Sequence, residues 1–290
     1  MAREDAFSAF DPILAAHPLD DPWTHTDGSA LHTPCWDLLC RLLAEPVGTG
    51  RASESGRFAR AIDAWIAHEL RRLGFDADAV WPRAERPRVL PHPVAQLVAG
   101  LPRALADQVR ARLPDIAAVG PVDARVLGRA YEKQVDICMS RWDRGPELLI
   151  STKAQTASFG KNLPNRFEEA YGDAGNLRGR HPLAAVGFVF VQRATVIDRE
   201  PAAYERTVDM LRKLRDRGDG NGYTATALVL VDWDEPAGPA TRVRVRGDAV
   251  PDDIGAPQFF SAMTRQVLAA APVTDHVTVR ERAAGLPTDV

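Results

Sequence analysis

The sequence predicts an α/β fold: a mixed central β-sheet flanked by helices, preceded by a mainly helical N-terminal part. Two observations carry this reading. Between residues 122 and 192 the apolar pattern runs strand, strand, helix, strand, whereas before residue 121 it recurs at helical spacing. The change of texture divides the chain into a helical part, 1–121, and an α/β core with a C-terminal extension, 122–290.

The elements follow in order. Over residues 55–73, Phe58, Ile62, Trp65, Ile66 and Leu70 recur at helical spacing, and Gly74 closes the helix where a left-handed residue is needed. A strand is predicted over 75–81. Residues 82–93 are proline-rich and without a period, which reads as a surface connection before a helix over 94–113. Val135, Ile137 and Met139 then alternate with Asp136, Cys138 and Ser140; residues 141–146 supply a turn and 147–153 a return strand, which makes a hairpin. A loop of Ser, Gly, Asn and Pro leads to Asn165, a good cap for a helix reaching 177. Residues 184–191 are almost wholly apolar, as in a strand buried on both faces. A helix over 202–217, strands over 225–233 and 241–246, and a helix over 257–271 complete the chain.

Composition narrows the function classes. At 45% hydrophobic, the 290 residues hold enough apolar material for a sizeable core, without a run long enough to cross a membrane. Arg3, Glu4 and Asp5 do not form a signal-peptide start, so a cytoplasmic protein is expected. Cys35, Cys40 and Cys138 are an odd number without a CxxC pair, which argues against a disulfide framework and a thiolate zinc site and reads as small core residues. Seven histidines without HxH or HxxxH spacing, and the lack of a GxSxG elbow or a phosphate-binding glycine loop, remove zinc hydrolases, serine hydrolases and nucleotide-binding enzymes. A net charge of −3 does not announce a nucleic-acid binder. Arg178, Arg180, Arg193, Arg199, Arg206, Arg212, Lys213, Arg215 and Arg217 nevertheless crowd into one stretch and suggest a basic face.

Strand periodicity places Asp136 on one face of its strand, and Ser151 and Lys153 together on one face of the next. If the strands are neighbours, the three side chains converge. A carboxylate that holds a hard cation and a lysine that orients water and steadies developing negative charge suit phosphodiester hydrolysis. The bland alternative is a set of polar residues facing solvent on an antiparallel strand. Asp232 and Asp234, at the end of an apolar strand with Pro236 beyond, read as a turn.

The whole string from residue 134 to 191 resembles the PD-(D/E)xK nuclease superfamily, the fold of most restriction enzymes. Asp136 in VDI stands where that family begins its hairpin with Asp, and Lys153 in ISTKAQ ends the triplet on the following strand. The stretch SFGKNLPNRFEEAYGDAGNLRGR is similar to restriction enzymes of the XhoI and PaeR7I type, in which a Phe-Gly loop and an Asn-Arg-x-Glu-Glu helix follow the catalytic lysine. The resemblance implies a restriction-endonuclease-like core and an endodeoxyribonuclease of the restriction or phage-defence kind. It further implies Mg2+ as cofactor, with Mn2+ as substitute, double-stranded DNA as substrate, and a homodimer matching a two-fold site. Residues 1–121 would then serve recognition or dimerisation.

One position departs from the family pattern. Ser151 stands where the acidic member of the triplet is usual. Some restriction enzymes with a Ser-x-Lys triplet carry that carboxylate on the following helix, which points to Glu168 or Glu169, with Glu168 favoured by spacing. Asp136 and Glu168 are thus the expected metal ligands, and Lys153 the residue that positions water. Glu69, on an N-terminal helix, is a further family-type candidate, and Glu132 and Gln155 rank lower. DNA contacts are expected from Lys161, Asn165, Arg166, Arg178 and Arg180. Alternatively, Ser151 marks an inactive site, and the chain is a non-catalytic module that binds DNA, modified DNA included, within a defence complex.

Overall fold

The computed structural model describes residues 5–26, 29–49 and 56–286; residues 3, 4 and 55, used in the sequence reading, lie outside them. The N-terminal half contains α1 (Asp11–Ala15), β1 (Trp23–Thr26), β2 (Ser29–His32), α2 (Trp36–Gly48), α3 (Arg57–Arg72), β3 (Val80–Trp81), α4 (His92–Ala99) and α5 (Arg103–Arg112). Next come β4 (Ala124–Leu127), β5 (Glu132–Val135), β6 (Ile137–Arg141), β7 (Gly145–Gln155), α6 (Leu163–Arg178) and β8 (Ala185–Arg193). The chain continues through α7 (Val196–Arg199), α8 (Pro201–Lys213), β9 (Ala225–Trp233), β10 (Val243–Val245), α9 (Ala256–Ala270) and α10 (Val277–Ala284).

Six strands form a mixed sheet in the order β10-β9-β8-β7-β6-β3. β7, β8 and β9 run parallel, because α6 and then α7–α8 carry the chain back between them, while the outer strands pair antiparallel. Every residue of β8 is buried, as its apolar run requires at the centre of a two-faced sheet. Side-chain alternation separates two layers. Leu148, Ile150, Val189, Val191, Ala227 and Val229 face a core shared with α2, α3 and α9. Leu149, Phe188, Phe190, Leu228 and Leu230 face the core under α6 and α8. No helix among the described residues is long and apolar enough to cross a membrane.

The texture boundary at residue 121 does not separate two cores. Leu38, Leu42, Ile62, Trp65, Ile66 and Val80 belong to the same apolar cluster as the sheet, so α2, α3 and β3 are part of the α/β body. Only the segment around α4 and α5 packs a small cluster of its own, of Leu90, Ala95, Val98, Ala106 and Leu113. The single helix expected over 94–113 is two, interrupted at Gly100 and Pro102. The strand expected over 75–81 shrinks to β3, because the Asp76 carboxylate accepts the Asp78 and Ala79 amides and holds a turn there.

A buried polar knot fixes α3 to the segment before α2. The Glu69 carboxylate lies 2.9 Å from His32 Nε2, accepts from Arg72 Nη1 at 2.8 Å, and takes the Cys35 amide at 3.0 Å. Removing one partner of such a group leaves the others buried without compensation, at a cost of about 3–5 kcal/mol. Glu69→Ala is therefore expected to lower the unfolding free energy measured in urea by an amount in that range, with a lower midpoint, without changing affinity for divalent cations. A variant that unfolds at the wild-type midpoint but loses metal binding would return Glu69 to the catalytic set.

Candidate active site

Asp136 occupies the step between β5 and β6, where its amide donates to the Ile150 carbonyl at 3.2 Å and its carboxylate turns toward β7. There Oδ2 accepts the Thr152 amide at 2.8 Å. Thr152 has the opposite parity to Ser151 and Lys153, so its side chain enters the layer under α3. Its Oγ1 donates to Asp63 Oδ1 at 2.7 Å. One residue of β7 thus holds two carboxylates, one by its backbone and one by its side chain. Asp63 is 1% exposed. One turn earlier on α3, Arg60 reaches Asp63 Oδ2 at 3.4 Å with Nη1 and Asp123 Oδ1 at 3.2 Å with Nη2.

The pair is electrostatically unsatisfied. Burial pushes the Asp63 carboxyl well above the usual carboxylate range, the charge of Asp136 pushes it further, and the bonds from Thr152 and Arg60 do not restore it. Burial also raises Asp136, against the Thr152 amide and the charges of Lys153, Arg60 and Lys133. Two acids that resist being ionised together form a donor set that a hard divalent cation would relieve. Among the described residues, no group of three or more His, Cys, Asp or Glu comes together as a metal cage. Mg2+ does not need one, since it is commonly held by one or two carboxylates together with waters and substrate phosphates. Asp63 and Asp136 fit that requirement.

Lys153 leaves β7 on the other face. Its Nζ donates to Glu169 Oε1 at 2.7 Å, and Arg166 Nη1 donates to Glu169 Oε2 at 3.2 Å. Lys133 Nζ stands 3.9 Å from Glu169 and 2.5 Å from Asp173, whose other oxygen accepts the Tyr131 hydroxyl at 3.0 Å. Partial burial alone would raise Glu169, but the bond and charge of Lys153, with Lys133 and Arg166, hold it below the usual range. Glu169 is a counter-ion to cations, and the second carboxylate beside Asp136 comes from α3.

The sequence-derived candidates therefore sort anew. The preference for Glu168 is corrected: it is exposed and has no side-chain partner among the described residues, while Glu169, about 100° round the helix, faces Lys153. Ser151 is buried on the α6 side and makes no side-chain hydrogen bond among the described residues. Glu69 lies in the structural knot; it shares α3 with Asp63, but six residues place it on a different face of the helix. Glu132 is exposed and meets Arg125 at 3.4 Å, away from the acid pair. Gln155 donates to the Ser158 and Phe159 carbonyls and accepts from Gln192, pinning the loop after β7.

Lys161, Asn165 and Arg180 are exposed, as DNA contacts need, but Arg178 is half-buried and spent on Asp216 at 3.1 Å. Much of the arginine-rich stretch is neutralised in the same way: Arg193 pairs with Glu235, Arg212 and Arg215 with Asp253, and Lys213 with Asp209. Asp234, read as a turn residue, binds Arg244 at 2.8 Å. Of the cysteines, Cys138 is buried, which pushes its thiol up to about 12, and Cys35 and Cys40 are half-buried. Asp63 and Thr152 were missed by sequence reasoning. A signal existed for Asp63: it stands three residues before Ile66 and seven before Leu70, an acid in register with the apolar stripe of its helix. Comparison of the chain with protein-family models, with curated proteins and with solved structures finds no match.

The raised carboxyls have a pH consequence. A group whose value is raised on folding contributes stability that is complete below its unfolded value, 3.8 for Asp63, and lost as pH rises through the folded one. In metal-free urea unfolding, Asp63→Asn should therefore be more stable than the wild type at pH 8, by roughly 1–2 kcal/mol. That advantage should vanish near pH 4. An equal difference at both pH values would show that the two acids do not share a repulsive site.

Proposed function

We propose that the chain is a metal-dependent endodeoxyribonuclease of the restriction or phage-defence kind, acting in the cytoplasm as a homodimer on double-stranded DNA. The observation that carries the reading is the pair Asp63 and Asp136, joined on Thr152, with Lys153 next in the chain on the opposite face of β7. The resemblance of residues 134–191 to the PD-(D/E)xK nucleases supports it independently.

Mg2+, or Mn2+ in its place, would be held by Asp63 and Asp136, and when bound it stabilises charge on the phosphoryl oxygens and makes water more acidic. Thr152 fixes the two carboxylates in orientation, since its amide and hydroxyl each occupy one of their oxygens. Lys153 orients the attacking water and places positive charge where the phosphorane oxygens become more negative. Before substrate arrives, Glu169 holds the lysine ammonium in place, and Lys133 and Arg166 share that carboxylate. The exposed Lys161, Asn165 and Arg180 are suited to flanking phosphates, contacts that position a duplex without reading sequence. Ser151 was the ground for a non-catalytic DNA-binding module. With Asp63 offering the second carboxylate, that ground weakens and the enzyme reading is the better supported.

Nicking of supercoiled plasmid in Mg2+ tests the assignment. Asp63→Asn, Asp136→Ala and Lys153→Ala should each reduce the rate by about 100-fold or more, the scale of losing one preorganised electrostatic group. Glu168→Gln should stay within about twofold, as exposed substitutions do. A dead Glu168→Gln with an active Asp63→Asn would overturn the ligand set. Divalent metal gives a second readout. Mn2+ should raise the wild-type melting temperature, leave Asp136→Ala unmoved, and restore cleavage after EDTA treatment; full activity in excess EDTA would exclude the mechanism.

A further inference from the structure

Beside the acid pair lies a cleft of about 360 Å3, within the roughly 300–1,000 Å3 usual for small-molecule sites. It shares Phe7, Arg60, Arg88, Val122 and Asp123 with a narrow pocket whose wall includes Asp136, so the cleft adjoins the acids. Its walls mix apolar residues with Arg and Asp side chains. The Phe7 ring has two guanidinium groups near it, with Arg60 5.4 Å and Arg88 5.8 Å from its centroid, and Pro87, Pro121 and Val122 line the same cleft.

The polar lining is balanced. Arg60, Arg86 and Arg88 are matched by Asp5, Asp115 and Asp123, so the cleft has no excess positive charge to select a bare phosphate. Arg60 and Arg88 are already committed to carboxylates. Arg86 uses only Nε, on Asp5 at 2.7 Å, and its two terminal nitrogens have no partner among the described residues. Asp115 is exposed, and its carboxylate likewise has none. The unspent groups are therefore a forked donor and a forked acceptor beside the apolar part of the wall. The ligand that complements them is a flat, neutral ring with two acceptors on one edge and two donors on another. Among the four bases of DNA this is guanine, with N7 and O6 accepting and its N1–H and N2–H2 donating.

We propose that the cleft receives a guanine of the substrate strand, unstacked from the duplex next to the scissile phosphate, with Arg86 meeting its acceptor edge and Asp115 its donor edge. Removing a base from the stack has a free-energy cost, which the apolar part of the wall and the two forked contacts would offset. The inference rests on the DNA-cutting reading for its substrate and adds what determines the nucleotide beside the cut.

Calorimetric titration of the metal-free protein with deoxyguanosine monophosphate, deoxyadenosine monophosphate and inorganic phosphate tests it. The guanine nucleotide should bind at least tenfold more tightly than either of the others. Arg86→Ala and Asp115→Asn, both at exposed positions, should each weaken it at least tenfold while leaving the affinity for inorganic phosphate unchanged. Asp136→Ala should bind the guanine nucleotide like the wild type. Guanine binding by a protein that cuts no DNA would leave the cleft standing and remove only the nuclease reading. Equal affinity for the adenine nucleotide, binding of phosphate alone, absence of nucleotide binding, or indifference to both cleft variants would each overturn the proposal.

Discussion

Two carboxylates that repel each other are held against a single residue, and the architecture of the site follows from that contact. Thr152 pairs with Val189 of β8 on one side and follows the β6-paired Ile150 on the other, so it cannot move away from either acid without disturbing the sheet. Its amide anchors the carboxylate of the residue that opens β6, and its hydroxyl anchors a carboxylate from α3. The repulsion is poorly screened because the surrounding layer, from Ile62 and Ile66 to Ile150, is apolar.

The alternation of β7 distributes opposite charges to opposite faces. The side chain of Thr152 holds Asp63 under α3, and the next residue, Lys153, meets Glu169 under α6. The acids are not neutralised by direct bonds to the lysine, which is engaged elsewhere. Lys153 and Lys133 still lower Asp136 through space. An acidic locus and a lysine paired with a carboxylate are thus held one residue apart on a rigid strand.

Much of the sheet was legible from sequence, because its strands are apolar on both faces or alternate cleanly. β9 has the bounds its composition suggested, and the β6–β7 hairpin was placed from the alternation around Asp136. The N-terminal region was less legible. Its helix α3 is buried nearly all round, and such a helix reads as an ordinary amphipathic one when only its strongest apolar face is followed. Asp63 was lost for that reason, and Glu69 was noticed in its place; burial makes both acids consequential, but only the three-dimensional partner tells a carboxylate tied to His32 and Arg72 from one set beside Asp136. The choice between Glu168 and Glu169 turned on helix rotation, which spacing from Lys153 does not determine.

The segment between β3 and β4 packs around Leu90, Ala95, Val98, Ala106 and Leu113, apart from the two large cores, yet it lends Pro114, Asp115 and Gly120 to the cleft beside Asp136. Asp63 precedes this segment and Asp136, Thr152 and Lys153 follow it, so these four residues sit entirely on the main body. An insert with a private core can drift, lengthen or be exchanged with little effect on the sheet that holds those groups. What it changes is the rim they look out upon. The fold thus places the acid pair and Lys153 on one packing unit and part of the cleft wall on another, so that the wall can be altered without disturbing the packing around the acids.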